Sequence, residues 1–236
     1  MFKRFFKKFF IKKPKYYIRD GPRTSYHPNG KINTSVVFKD EKKEGFYRKW
    51  DIHGNLIRKI LFKNNLIHGQ SLYFYSNGQT LIDRFYKQGI QEGEDRRYYE
   101  NGQLKSSTFY KYGLRDGRYQ KFYENGQMKA SVNNIKGAGE GLWRVFHPNG
   151  HVKSSIFLIH GLREGNLETF YESGLLRSTN IYQNGVANGP YKFFSENGDL
   201  RISGYFKSDQ RDGLWNSTDE FDQVTTRYYI DGKLSH

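Results

Sequence analysis

Short runs of aromatic and β-branched residues alternate with polar clusters along almost the whole chain, and this pattern has a fixed period. Glycines mark the period, because one recurs every 24 residues from Gly21 to Gly213. A second glycine follows nine positions later in each unit but the last, and it usually stands behind an asparagine. Self-similarity at such a period is typical of repeat proteins. The sequence predicts a segment over residues 1–20 and an array of nine units over residues 21–236.

Each unit is predicted to form one β-hairpin. A pair such as Asn101-Gly102 between two apolar runs favours a two-residue type I′ turn, in which both central residues have positive φ. A further glycine column, represented by Gly113, and an acidic residue before the next unit, such as Glu92, predict a second turn that leads to the next hairpin. The expected fold is all-β: an elongated, single-layer antiparallel β-meander of about nine hairpin repeats.

The best-preserved unit contains the run Tyr98-Tyr99-Glu100-Asn101-Gly102-Gln103-Leu104, and residues 122–128 nearly repeat it. On these residues the chain resembles the MORN-repeat family, in the variant found in bacterial proteins labelled YwqK-type antitoxins. The resemblance implies a non-enzymatic scaffold or protein-interaction module. Its label suggests an alternative, an antitoxin or immunity protein that captures a toxin partner. The identity of a co-purified partner would distinguish the two.

Composition excludes several kinds of chemistry. The chain has no cysteine, which removes disulfides, thiolate metal sites and a cysteine nucleophile. Its 7 histidines lie near predicted turns without metal-ligand spacing, and neither a phosphate-binding loop nor a Gly-x-Ser-x-Gly elbow is present. We therefore expect no enzymatic activity, no metal and no cofactor. Nearly half of the net charge of +15 falls on residues 1–20, which are therefore far more basic for their length than the array.

The N-terminal segment is predicted to contain a short amphipathic helix with a phenylalanine stripe and a cationic face, ended by Pro14. The candidate binding residues of this helix are Phe2, Lys3, Arg4, Phe5, Phe6, Lys7, Lys8, Phe9, Phe10, Lys12 and Lys13. This composition is typical of an anchor at an anionic lipid surface. Two alternatives stay open: the helix covers the apolar surface of the first repeats, or it enters a groove of a protein partner.

The start of the chain lacks the uninterrupted apolar core of a signal peptide, and no stretch approaches the length of a membrane span. We expect a cytoplasmic protein, peripheral at the inner face of the membrane if the helix binds lipid.

Two columns of the repeat are candidate binding features. Counting from the first glycine of each unit, position six forms an aromatic ladder that includes Tyr98, Phe122, Phe146, Phe170 and Phe194. Position thirteen forms a basic stripe of Lys105, Lys129, Lys153, Arg177 and Arg201. With a two-residue turn, position six pairs with position thirteen, so each cation is expected over the ring of its own unit. The apolar residues at position twelve would then lie on the opposite face, together with the rings at positions three and eighteen.

The basic stripe suggests an acidic protein partner or another polyanion. Nucleic acid is not expected, because acidic residues near the turns partly neutralise the stripe and no recognised nucleic-acid motif is present. The ninth unit has Asp222 in place of the second glycine and is predicted to cap the array. Pairing of open sheet edges into a homo-oligomer stays a further option.

Overall fold

A computed structural model describes residues 20–235, which form a single antiparallel sheet of 21 strands without a helix. The strands are β1 (Gly21–Tyr26), β2 (Ile32–Lys39), β3 (Lys42–Lys43), β4 (Gly45–Trp50), β5 (Leu56–Lys63), β6 (Leu66–Phe74), β7 (Thr80–Lys87), β8 (Ile90–Gln91), β9 (Gly93–Tyr98), β10 (Leu104–Lys111), β11 (Leu114–Phe122), β12 (Met128–Ile135), β13 (Ala138–Phe146), β14 (Val152–Ile159), β15 (Leu162–Phe170), β16 (Leu176–Gln183), β17 (Val186–Phe194), β18 (Leu200–Lys207), β19 (Gln210–Thr218), β20 (Val224–Ile230) and β21 (Lys233–Ser235).

Strands pair with their neighbours in the chain from one end of the sheet to the other, as the meander prediction requires. The all-β fold and the hairpin array are confirmed. The predicted N-terminal helix lies outside the described residues. Within residues 20–235, no helix is present that could cross a membrane.

The Asn-Gly turns differ from the predicted type. Glu100, Asn101 and Gly102 form a three-residue loop, in which the Gly102 amide donates to the carbonyl of Tyr99 at 2.9 Å and the Tyr99 amide donates to Gln103 at 2.8 Å. Only Gly102 has a positive φ, of 86°, and Asn101 does not. This is a type I turn followed by a left-handed glycine. The prediction of a type I′ turn at the Asn-Gly pairs is wrong.

The type I′ geometry lies at the other end of each unit. Tyr112 and Gly113, with φ of 51° and 78°, connect the paired residues Lys111 and Leu114 as a two-residue loop. Positive φ at both loop residues matches the strand twist and makes this the tight hairpin turn. In most units a glycine occupies the second position of this loop and a non-glycine residue the first.

A bulge beside each Asn-Gly loop determines which side chains share a face. Tyr98 pairs with Leu104, whereas the next pair is Arg97 with Ser106, so Lys105 is an extra residue in its strand. The predicted pairing of position six with position thirteen is therefore wrong, and so is the assignment of positions six and twelve to opposite faces. The extra residue also puts the rings of positions three and eighteen on the side opposite to position twelve.

We call the two sides of the sheet face one and face two. Face one carries positions three, five, fourteen, sixteen and eighteen of each unit, and face two carries positions two, four, six, twelve, fifteen and seventeen. The most buried row runs along the middle of face one, where positions three and sixteen alternate across the strands. It includes Ile60, Ile156 and Trp215, each at most 5% exposed.

Hydrogen bonds between consecutive units hold the array together at both edges. At the Asn-Gly edge, the hydroxyl of Tyr99 donates to the carbonyl of Phe122 at 2.9 Å, and the Asn101 amide group donates to the carbonyl of Glu124. Asn101 also accepts a bond from the Gln103 amide, which explains the asparagine at this position. Equivalent bonds from the side chain at position seven to the next unit are made by His27, Tyr75, Tyr123, His147 and Tyr171.

Near the C-terminal end of the sheet, Trp215 anchors an aromatic cluster on face one. Its ring stacks on Tyr191, with ring centres 5.6 Å apart, and meets Phe206 and Tyr229 edge-on. The neighbouring position in the row is Gly204, where a Cβ atom would overlap the Trp215 ring. The absence of a side chain at Gly204 thus makes room for the Trp215 ring. The aromatic cluster covers face one near this end of the sheet.

Candidate partner-binding faces

The predicted aromatic ladder lies on face two, next to the apolar column at position twelve. Tyr98 and Phe122 pair directly with Leu104 and Met128. The remaining members, Phe146, Phe170 and Phe194, pair in the same way with Val152, Leu176 and Leu200. The rings are half-buried by these partners. The ladder therefore contributes to packing within each hairpin, while its outer side stays accessible on face two.

The predicted basic stripe lies on face one, so the structure separates it from the ladder. Lys105 lies over the ring of Tyr99, with Nζ 5.1 Å from the ring centre, and Lys129 lies over Tyr123 at 4.8 Å. Arg177 occupies the equivalent place over Tyr171. The cations thus contact the rings of position seven, not those of position six. Burial and the nearby charge of Glu124 raise the pKa of Tyr99, which keeps its hydroxyl available as a donor.

Two members of the stripe differ from the others. Arg201 donates to the carbonyl of Asp219 and pairs with the carboxylates of Asp222 at 3.1 Å and Asp199 at 3.2 Å. It therefore ties the degenerate ninth unit to the eighth. Lys153 is exposed and belongs to a unit whose position seven is His147 in place of a tyrosine. All five residues of the basic stripe are cationic, but they do not all contact the same kind of neighbour.

Carboxylates lie mainly at the edges of the sheet. The acid before each first glycine accepts a bond from a backbone amide of the following two-residue turn, as Glu92 does from the Tyr112 amide at 2.9 Å. The same bond is made by Asp20, Glu44, Asp116, Glu140 and Glu164. The second turn predicted from acids such as Glu92 is confirmed. Because the acids serve the turns, most of the negative charge is kept away from the two faces.

Four carboxylates of residues 20–235 stand on a face instead of at a turn or directly before a first glycine, and each has a partner there. Asp83 accepts a bond from Gln70, and Glu168 accepts one from Asn166. Glu94 is bonded by Arg96 and Ser107, and these bonds lower the pKa of its carboxyl, with Arg96 the larger cause. The fourth, Asp95, is described next. The faces are left with an excess of cations.

Asp95 is 3% exposed in the central row of face one. Its Oδ2 lies 2.7 Å from Nε of Arg84, and its Oδ1 lies 3.4 Å from Nε of Arg97. Gln91 donates a further bond to Oδ2 at 3.0 Å. Burial lowers the pKa of Arg84, but the charge of Asp95 and the hydroxyl of Tyr86 outweigh it, so the net shift is upward. A polar cluster thus replaces apolar packing at this point of the row.

A cavity of about 320 Å³ opens on face one and shares Arg97 with this cluster. Four cationic side chains line it, Arg97, Lys105, Arg115 and Lys121, and none of its lining residues is acidic. The other lining residues are Leu81, Ile82, Tyr98, Ser106, Thr108, Tyr110 and Tyr119. We call this cavity the cationic groove. Its cations and hydroxyl groups can donate several hydrogen bonds to one anionic ligand.

Only Lys105 among the four cations belongs to the predicted basic stripe. Arg97 and Lys121 occupy position five, and Arg115 is the cross-strand neighbour of Tyr110. Sequence reasoning missed them because position five varies between units, and no periodic column drew attention to it. The signal that the sequence offered was a change of residue type at position five. Units four and five have a cation there, whereas unit six has Val145.

A model of the MORN repeat variant matches the chain over residues 19–40, 67–88, 91–112, 115–133, 139–159 and 187–208, more than half of its length. The chain belongs to the MORN repeat family. The matched MORN units are those with an asparagine before the second glycine. In unit two, which is not matched, Asp51 takes over by accepting bonds from the amides of His53 and Asn55. No curated protein matches the chain.

The structure offers little that resembles a metal centre. Within residues 20–235, no group of histidine, aspartate and glutamate side chains is arranged to hold an ion.

Proposed function

We propose that this MORN-repeat protein is a non-enzymatic scaffold that binds a protein partner on its sheet faces. MORN repeats are compatible with such an interaction module. The observation that carries the proposal is the segregation of charge: acids cap turns at the edges, whereas unneutralised cations and aromatic rings stay on the faces. A surface of this kind favours a partner with acidic groups, because complementary potentials speed association and select against basic partners.

The edge contacts also favour binding. Most units are joined to the next by side-chain bonds at both edges, so the positions of face residues are fixed before a partner arrives. A preorganised surface avoids part of the entropy cost of association. The exposed rings of face two, among them Phe85, Phe109 and Phe157, add apolar area that a partner could cover.

The test is affinity purification from the native source with three matched variants. Lys153→Glu changes face one, Arg144→Glu changes face two, and Lys136→Glu makes the same charge change at a turn. We expect a specific partner to be lost with one of the face variants and retained with the turn variant. The interaction is then measured with the purified partner by calorimetry. A partner that binds all three variants equally, and that also binds Arg97→Gln with Lys121→Gln equally, would contradict binding on a face.

The captured partner also decides between the two functional classes. A membrane or cytoskeletal protein is expected for a scaffold. A lethal enzyme that the chain neutralises would establish the antitoxin alternative instead.

We further propose that the N-terminal segment holds the array at an anionic membrane surface. Its five phenylalanines and flanking cations support this, since rings enter the headgroup boundary and cations attract anionic lipid. The test compares the full chain with a variant lacking residues 1–13. Loss of binding to anionic vesicles with an unchanged melting temperature is expected. A large fall in stability would show that the segment caps the array instead.

A further inference from the structure

The cationic groove is a local departure from the repeat that the fold itself does not require. At position five, where units four and five have Arg97 and Lys121, the next three units have Val145, Thr169 and Phe193 and form the same hairpins. The array therefore folds without cations at this position. Like charges that converge on one cavity repel each other and destabilise the folded state. A ligand of opposite charge would remove this cost.

We propose that the cationic groove binds an acidic segment of the protein partner through at least two of its carboxylates. This inference rests on the proposed function and specifies which part of the scaffold the partner contacts and with what chemistry. Charge complementarity favours carboxylate groups as the ligands of this site, since the lining has four cations and no acid. Asp95, which contacts the lining residue Arg97, is already engaged by Arg84 and Gln91 as well.

The spacing of the cations sets the length of the acidic segment. Arg97, Ser106 and Lys121 are cross-strand neighbours on three successive strands. Since adjacent strands lie about 4.8 Å apart, the backbones at Arg97 and Lys121 are about 10 Å apart. An extended peptide advances about 3.3 Å per residue, so a stretch of about four residues spans both cations. The hydroxyl of Ser106 lies between them as an additional donor.

The surroundings of the groove favour a peptide over a nucleic acid. Single-stranded nucleic acids gain much of their affinity from bases that stack on free aromatic faces. Beside the groove, Lys105 already covers Tyr99, and Lys129 covers Tyr123. Tyr110 and Tyr119 are half-buried in its lining. The groove thus offers hydrogen-bond donors to carboxylates and little stacking area. Its volume of about 320 Å³ matches a few side chains.

The experiment measures binding of a fluorescein-labelled peptide with four consecutive glutamates by fluorescence anisotropy, using the full chain. A peptide with glutamines in their place is the control ligand. The groove variant is Arg97→Gln with Lys121→Gln. The matched control variant is Arg118→Gln with Lys192→Gln, which makes the same charge change at exposed positions of face two. Far-UV circular dichroism and melting confirm that each variant folds.

We expect the glutamate peptide to bind the wild-type chain and the control variant within about twofold of each other, and the groove variant at least about tenfold more weakly, as expected for loss of charge-assisted hydrogen bonds. The affinity should fall with salt, because screening lengths drop to about 8 Å at 0.15 M. Equal binding to both variants would overturn the inference. So would tighter binding, through Arg97 and Lys121, of single-stranded DNA or of vesicles containing phosphatidylserine.

Failure of this inference can be told apart from failure of the proposed function. A native partner that binds the groove variant as tightly as the wild-type chain would refute the groove and leave the scaffold intact. Absence of any partner that depends on a face would refute the scaffold, whatever the peptide does.

Discussion

The buried pair of Arg84 and Asp95 provides the sharpest test of how face one is stabilised. The two residues occupy a row that holds mostly apolar side chains, and the equivalent positions three units further along hold an apolar pair, Ile156 and Leu167. We predict that Asp95→Ala destabilises the protein strongly. We also predict that the double variant Arg84→Ile with Asp95→Leu, which copies the apolar pair, restores stability.

The magnitude follows from burial. Removing one partner of a buried ion pair costs about 3–5 kcal/mol, because it leaves an uncompensated charge. The side chain of Arg84 is 21% exposed and Arg97 still lies nearby, so a loss of about 2–4 kcal/mol is expected for Asp95→Ala. Replacing both partners by well-packed apolar residues is expected to leave stability unchanged or raise it by about 1–4 kcal/mol. The two variants should thus differ by several kcal/mol.

The assay is urea unfolding followed by circular dichroism, with hydrogen exchange of β7 and β9 as a local measurement. Local exchange matters because repeat arrays need not unfold in one step. Asp83→Ala is the matched control, since it removes a carboxylate from face two in β7, the strand that carries Arg84. Its effect should stay below about 1 kcal/mol. A small effect of Asp95→Ala, or a double variant as unstable as the single one, would refute the assigned role of the pair.

Three further outcomes are expected. Gly204→Ala should destabilise the protein by about 1–3 kcal/mol and shift the tryptophan emission, because the added methyl group displaces the Trp215 ring; unchanged emission and melting would contradict this packing. Tyr123→Phe should cost about 1 kcal/mol, since it removes one bond between consecutive units, and faster hydrogen exchange at that edge would locate the loss. The pKa of the Asp51 carboxyl should lie below its ordinary value, mainly because the Asn55 side chain donates a hydrogen bond to it. The ionised carboxylate then stabilises the fold above the pKa that Asp51 has in the unfolded chain, and this stabilisation is lost as the pH falls through the lower pKa of the folded state. A carbon-detected NMR titration measures this, and Asn55→Ala should move the midpoint upward.

The period and the strand pattern were readable from the sequence because each unit repeats the same local chemistry. Gly102 and Gly113 recur at fixed spacing, and the apolar runs between them are too short for helices. The association of acids such as Glu92 with turns at the edge of the sheet could also be predicted, because these acids recur directly before the first glycine of a unit. These features depend only on neighbours in the chain, which a single sequence displays directly.

The sequence did not predict the turn types correctly, nor the face of the sheet on which each side chain lies. Asn101-Gly102 suits both a two-residue and a three-residue loop. In the three-residue loop, Asn101 donates to Glu124 of the next unit and accepts a bond from the Gln103 amide of its own unit. The longer loop brings a bulge at Lys105, and one extra residue moves every later side chain of that strand to the other face. The sequence did contain one indication of the true pairing. Positions six and twelve both hold large apolar residues, as expected for a cross-strand pair on one face.

The bonds between units have a consequence for how such a protein changes over evolutionary time. Tyr99 and Glu92 contact residues only 23 and 20 positions further along the chain. No stabilising bond of this type depends on the total number of units, so duplication or loss of a whole 24-residue cassette leaves every remaining bond intact. The reach of the array can then be lengthened or shortened in steps of about 10 Å. Low contact order would also keep folding rapid as copies are added.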